Sequence, residues 1–335
     1  MREVIDTDME EKEKESFMEW RKEFKIPSDD EREDGCLVYC DLLPGLKVLD
    51  IDIRSQKIPQ FDFLGKKNSM PDRNQPILFI NCAFEGRCEL SLMNGELTYL
   101  EGGELALDTG QVSHASSNFC YPRAAYRGVE LFLFPDRFRE NVKIRNTAFD
   151  TGTIILNRTS ESTVPLISHA DSRIKDEMKI FSEDIRGGAD RLLLILDALK
   201  IVYCIGETDY SEQIQRQFFS AAQVQIAKDT MKLISEDLSI RYSAAELARR
   251  FQISESSLKN YFKGVYGCGY REYQNEIRMK KAAELLAEDR TKVSDIALAV
   301  GFSSQSRFAR AFGSYFGMSP LEYRRSEAVR RNRKQ

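Results

Sequence analysis

Hydrophobic positions change their rhythm along the chain. Between residues 35 and 137 they come in short runs broken by glycine: 77–82, 88–93, 96–100, 104–107 and 129–134. Such runs, bounded by turn residues, predict β-strands. Asn94-Gly95 between two of them is a hairpin signal, and Gly102-Gly103 predicts a second turn. From about residue 170 the rhythm lengthens to three or four, which predicts helices. Met178, Phe181 and Ile185 share one face of a helix over 174–185, which Gly187-Gly188 ends. The stretch 191–205 is apolar nearly all round, so it must be covered on more than one side. Its cover is the sheet domain and the rest of its own bundle, or a second copy of the chain. A long helical stretch is predicted over 213–238, its later part carrying Val224, Ile226, Met231, Ile234 and Leu238. Near the N-terminus, Phe17, Trp20 and Phe24 form one stripe of a helix predicted over 9–24, and Trp20 is expected to pack on the flank of the sheet domain. Residues 151–165 read as a polar connection.

The last third is one pattern written twice. Leu247, Ala248, Ile253 and Ser254 recur 49 residues later as Ile296, Ala297, Phe302 and Ser303. Leu258, Phe262, Gly267 and Tyr273 recur 50 residues later as Phe308, Phe312, Gly317 and Tyr323. Each copy reads as helix, tight turn, helix. Ser243 with Glu246 predicts a capping box for the first helix, and Ser254 and Ser303 are the expected caps of the second helices. The turn falls on Gln252 and Gly301, where the backbone must be left-handed; Gln252 takes that conformation at a cost of roughly 1 kcal/mol. Inward-facing structural positions are therefore Leu247, Ala248, Ile253, Ile296, Ala297, Gly301, Phe302, Phe308 and Phe312. The opposite faces of the second helices are polar, with Ser256, Lys259, Asn260 and Lys263 in one copy and Gln305, Ser306, Arg307 and Arg310 in the other. Side chains of these types reach base edges and phosphates in a major groove. A predicted helix over 271–287, roughly 25 Å long, separates the copies by a length suited to successive grooves about 34 Å apart.

These residues resemble the C-terminal DNA-binding domain of AraC/XylS-type transcriptional regulators. The resemblance is densest over 296–312 and 316–324. Gln252 in place of the usual Gly, and Tyr270 in place of a frequent Pro, are departures confined to the first copy. By position the resemblance implies DNA contacts from the two polar faces. It also implies a cupin-like β-barrel or sandwich ahead of them as an effector-binding sensor. The expected architecture is α+β and multi-domain. A charged extension spans 1–34, the cupin-like domain 35–160 and a helical linker or dimerisation region 161–212. The DNA-binding domain spans 213–335, with helix-turn-helix units at 243–266 and 292–316.

Charge agrees with that division. Residues 241–335 hold 19 of the 49 lysines and arginines but only 10 of the 53 acidic residues. A basic end on an acidic body suits contact with a phosphate backbone through that end. The tail adds Arg324, Arg325, Arg330, Arg331, Arg333 and Lys334, which touch phosphate or form a solvated end. Only two histidines, His114 and His169, exist in the chain, too few for a His-rich cupin metal site. No metal or cofactor is expected, and no P-loop, dinucleotide fingerprint or nucleophile elbow points to an enzyme. Phe79, Cys82, Leu92, Tyr99, Phe132 and Phe134 are candidate lining residues of an effector pocket, not separable here from plain core.

The seven cysteines lack zinc spacing. With no apolar run near 18 residues and no export signal, a cytoplasmic protein with reduced thiols is expected. A thiol-based sensor using Cys36/Cys40 or Cys82/Cys88 is the second reading, and an enzyme with a structural helical end the third. The expected partners are double-stranded promoter or operator DNA, a small-molecule effector, RNA polymerase and a second copy in a homodimer; no membrane is expected.

Overall fold

The computed structural model describes residues 20–28, 35–56, 76–109, 120–144, 147–159, 162–210, 213–288 and 291–334. The chain divides into two compact units, Met1–Phe218 and Phe219–Gln335.

The first unit is built on an antiparallel sheet. Its strands are β1 (Arg21–Ile26), β2 (Gly35–Leu43), β3 (Leu46–Ile53), β4 (Leu78–Ser91), β5 (Leu97–Glu101), β6 (Glu104–Asp108), β7 (Tyr126–Leu133) and, after a small β8–β9 ladder (Lys143–Ile144 with Thr147–Ala148), β10 (Leu166–His169). The order is β1-β2-β3-β7-β4-β6-β10, with β5 on the distal half of β4. The Asn94-Gly95 turn joins β4 to β5, with Gly95 at φ 86°.

Both faces of the sheet are buried, and strand parity sorts the side chains between them. Val38, Cys40, Val48, Ile80, Cys82, Leu105, Val129 and Leu131 pack under helices. Those helices include α1 (Pro135–Asn141), α2 (Thr151–Thr159), α3 (Ser172–Gly187) and α4 (Arg191–Glu207). On the other face Tyr39, Ile51, Phe79, Leu90, Ala106 and Phe132 form a second cluster. It includes Ile26 of β1 and Ile167 of β10, the two end strands, so the sheet curls over this face. Its ends do not pair among the described residues, so of the barrel or sandwich that the resemblance implied, the antiparallel sheet is present but it is open and curled, not a closed barrel. Helix α3 is tied to the sheet by Arg186, whose guanidinium donates to Asp50 at 2.6 Å and Asp52 at 2.8 Å.

Three local expectations change. Residues 21–26 pair with β2 as a strand, so the end of the helix expected over 9–24 is not helical; residues 9–19 lie outside the described residues. Trp20 is buried against the helix-covered core, under the guanidinium of Arg191 at 5.7 Å. The 151–165 connection contains α2, whose Thr151, Gly152, Ile155 and Thr159 are buried at a spacing that polar neighbours masked. The helix expected from 213 starts only at Ala221, because Ser220 caps it through a box with Gln223. Among the described residues, no helix is long and apolar enough to cross a membrane.

The second unit is all helix: α5 (Ala221–Glu236), α6 (Ala244–Arg250), α7 (Glu255–Tyr266), α8 (Tyr270–Glu288), α9 (Val293–Ala299), α10 (Gln305–Phe316) and α11 (Pro320–Lys334). The basic tail is thus part of a helix; Arg324 donates to the Thr291 carbonyl at 2.6 Å, and Arg330 pairs with Glu327. The side chains of Arg331, Arg333 and Lys334 lie outside the described residues.

Candidate nucleic-acid interface

The duplicated sequence folds into two matched corners, α6–α7 and α9–α10. Ser243 caps α6 by accepting from Glu246 N–H, while the Glu246 carboxylate accepts from Ser243 N–H. That bonding holds the exposed Glu246 carboxyl below the usual glutamate range. At the corner the same hydrogen bonds recur. Gln252 N–H donates to Arg249 O at 3.2 Å and Ile253 N–H to Ala248 O at 3.0 Å. Gly301 N–H donates to Leu298 O at 2.9 Å and Phe302 N–H to Ala297 O at 2.8 Å. Gln252 sits at φ 56° and Gly301 at φ 79°, so both copies use a left-handed residue and the first does so without glycine. Leu247, Ala248, Ile296, Ala297, Phe302, Phe308 and Phe312 are buried. Ile253 is only half-buried, so its corner is plugged less completely than that of Phe302.

The second helices differ from expectation in one cap. Ser254 caps α7, but α10 is capped by Ser304, which accepts from Arg307 N–H, and not by Ser303. The repeat offset explains this. It is 49 residues up to Phe302 and 50 from Phe308 onward, so one extra residue, Ser303, lies in the corner. Both helices end alike, on Gly267 at φ 75° and Gly317 at φ 70°. Aromatic rings pin α7 to α8 and α10 to α11: Phe262 lies 5.8 Å from Tyr273, and Phe312 lies 5.4 Å from Tyr323. Tyr270, the departure noted in sequence, is buried in the first of these clusters, 6.3 Å from Phe262.

Helix α8 braces the two corners. Arg278 on it is 1% exposed, the largest fully buried side chain described. Its guanidinium donates to Leu238 O at 2.9 Å and Ile240 O at 2.8 Å, in the loop before α6. Gln274 Nε2 also donates to Ile240 O, at 3.0 Å. Burial, with Arg241 nearby, lowers the Arg278 pKa to about 10. Arg241 in turn donates to the Gly301 carbonyl at 3.2 Å and lies 5.3 Å over the Phe302 ring. The sequence showed α8 as an amphipathic spacer; a buried arginine at Arg278 carried no signal of its own.

All eight polar residues of the two faces are exposed: Ser256, Lys259, Asn260 and Lys263 on α7, and Gln305, Ser306, Arg307 and Arg310 on α10. On α7, Lys259 pairs with Glu255 one turn back at 3.4 Å. Helix α10 contains no acidic residue.

The pocket candidates do not share one site. Phe79, Leu92, Phe132 and Phe134 lie on the curled face of the sheet. Cys82, three residues from Phe79, points to the helix-covered face. Tyr99 is buried beside Arg87 and donates to Glu89 at 2.9 Å.

Two corners of this kind, joined by one helix, define a tandem helix-turn-helix module, the class of fold that docks its second helices in DNA grooves. A family model described as a helix-turn-helix domain matches residues 247–326. This C-terminal unit is an AraC-type helix-turn-helix domain. The chain is 26% identical over 160 residues to the transcriptional activator AggR of Escherichia coli, across 47% of this chain and 56% of that protein. It is 30% identical over 94 residues to the Msm operon regulatory protein of Streptococcus mutans, across 28% of this chain and 34% of that one. The chain spans about half the length of the curated relatives it matches. Among solved structures it is similar to the C-terminal domain of AraT, a response regulator from Geobacillus stearothermophilus. That match has 30% identity and a TM-score of 0.29, covering 30% of this chain and 84% of that one.

Proposed function

We propose that this protein is a sequence-specific DNA-binding transcriptional regulator. The observation that carries this reading is the matched pair of corners, each presenting an exposed, cation-bearing polar face on its second helix. In this reading Lys259, Asn260, Gln305 and Arg310 read base edges, while Ser256, Lys263, Ser306 and Arg307 contact phosphate and set register. One good bidentate base contact is worth roughly 1–3 kcal/mol. Arg310→Ala is therefore expected to weaken binding to the preferred genomic sequence by roughly 5- to 150-fold, with a much smaller loss on random duplex. Genome-wide mapping of bound DNA supplies the sequence, and titration at fixed salt supplies the two affinities. Equal loss on both duplexes contradicts base readout by Arg310.

The N-terminal unit is the sensor in this reading, with a small-molecule effector on the curled apolar face of the sheet. RNA polymerase is the downstream partner. An enzymatic role has less support, since the relatives that match are regulators. A thiol switch within the chain also has less support. Cys36 and Cys40 lie four residues apart on β2, about 13 Å along a strand, too far for a disulfide. Burial pushes the thiols up, Cys36 to about 11 and Cys40 and Cys82 to about 12, away from the thiolate a reactive cysteine needs.

The regulator acts as a homodimer through α4. That helix buries Leu194, Ala198, Ile201 and Val202 within its own unit. On its outer side Leu192, Leu196 and Tyr203 follow a four-seven spacing, with Leu192 63% and Leu196 56% exposed, while Leu199 between them is half-buried against the unit's own core. This is the spacing of a helix-pair seam, and two copies of one such face are self-complementary. Leu196→Asp, already solvent-facing in a single copy, is expected to leave the thermal melt of the monomer nearly unchanged and shift light-scattering mass from dimer to monomer. A wild-type chain that is monomeric at tens of micromolar rules the seam out.

A further inference from the structure

Residues 213–218 carry the chain from the sensor unit to Phe219, and they do not behave as a free linker. They are extended, and their exposure alternates: Gln213, Gln215 and Gln217 face out, while Ile214, Arg216 and Phe218 turn in. Such a two-residue period marks a strand with one covered face. Ile214 N–H donates to Ile167 O of β10 at 2.8 Å, at the end strand of the open sheet. Ile214 and Phe218 pack on the curled-face cluster. Between them Arg216 is ion-paired with Glu104 of β6, and its guanidinium lies 3.7 Å from Glu101 at the end of β5. Glu104 is 6% exposed, and its carboxylate also accepts from Glu101 N–H at 2.7 Å. The Gln217 carbonyl accepts from Thr98 Oγ1 at 3.2 Å. Six residues thus hold three strands.

Connections between domains are ordinarily exposed, polar and crossed by few contacts. Here a cation is seated against a buried carboxylate, between two apolar anchors. Releasing the anchors would leave that carboxylate with only its Glu101 N–H partner, so a seated and a released arrangement are the two states a switch at this place would use. A two-state element of this sort is what communication between distant sites requires. It also lies where both sites bear on it: its apolar side chains rest on the curled face, and the DNA-binding unit begins at the next residue.

We propose that 213–218 is a latch, and that unseating Arg216 from Glu104 is the step by which the sensor unit changes the DNA affinity of the C-terminal unit. The proposal rests on the regulator reading above.

The test uses the full chain and a genomic fragment selected by the wild type. Arg216→Ala is expected to speed amide hydrogen exchange across 213–218 by about tenfold or more, with the amides of β2, β3 and β7 unchanged. The same variant is expected to change affinity for the fragment by about fivefold or more. Arg216→Lys keeps the charge and brings both values back toward wild type. If Arg216→Ala loosens the whole sheet, the double variant Arg216→Glu with Glu104→Arg decides: restored protection with restored affinity supports the latch, and restored protection without restored affinity overturns it. Faster exchange in Arg216→Ala with affinity within twofold of wild type also overturns it, leaving the segment a static edge. A wild-type chain that selects no fragment at all sinks the regulator reading itself, and the latch with it, whatever the exchange rates show.

Discussion

Gly301→Ala is expected to abolish high-affinity DNA binding and to destabilise the C-terminal unit, whereas Gln252→Gly, at the matched position, should leave binding intact and stabilise slightly. The two turns share φ sign and hydrogen bonds, so the difference lies in their surroundings. A left-handed conformation costs a non-glycine residue roughly 1–2 kcal/mol. At residue 301 a Cβ would also meet the Leu238 carbonyl oxygen at 2.3 Å and the Arg278 guanidinium at 2.9 and 3.0 Å. Backbone at that distance cannot step aside, and overpacking of this kind adds about 1–3 kcal/mol. The sum, roughly 2–5 kcal/mol, is a large share of what holds a domain of this size. Gln252 is exposed and bears its strain already. Replacing it with Gly removes that strain but adds unfolded-state entropy, for a net gain of up to about 1 kcal/mol. Denaturant unfolding of both variants, with gel-shift titration, checks the pair. A tolerated Ala at 301 means that the second corner is not held as described.

The second large effect is expected at Arg278. Arg278→Met keeps the aliphatic stem but removes the donors to Leu238 O and Ile240 O. Ile240 O retains its bond from Gln274, so Leu238 O is the acceptor left bare, beside a void where the guanidinium lay. Losing the desolvated charge offsets part of the damage, since burying it was costly. An orphaned buried carbonyl costs about 1–3 kcal/mol and the void about 1 kcal/mol more. The expected loss is therefore roughly 2–3 kcal/mol. The loop before α6 and the turn at Gly301 should also lose their common brace, through Arg278 and Arg241. DNA affinity should then fall by more than stability alone predicts, seen as weak binding at temperatures where circular dichroism still reports full helix. Wild-type affinity in a folded Arg278→Met chain refutes the brace.

Much of the C-terminal unit was legible in the sequence because its pattern is local and occurs twice. Caps, corner glycine and inward aromatics each lie within a few residues of what they serve. The Ser303 cap was misplaced although the signal was present: the step from 49 to 50 in the repeat offset marks an inserted residue, and Ser304 is the true counterpart of Ser254. The extended 213–218 segment was readable too, as Gln-Ile-Gln-Arg-Gln-Phe alternates strictly, but helix on both sides obscured it. Arg278 was not readable, since its partners are carbonyls 38 and 40 residues away that carry no sequence signature. The sheet was recognisable as strands, but which face each side chain took depended on register. Phe79 and Cys82 were grouped together until pairing with β7 set them on opposite sides.

The Glu255–Lys259 pair has a bearing on how a duplex is approached. Helix α7 carries its own counter-charge next to the cation that would meet DNA, whereas α10 offers Arg307 and Arg310 with nothing to neutralise them along its length. Lys259 would therefore have to leave Glu255 before it could meet DNA, an exchange that Arg307 and Arg310 would not need within their own helix.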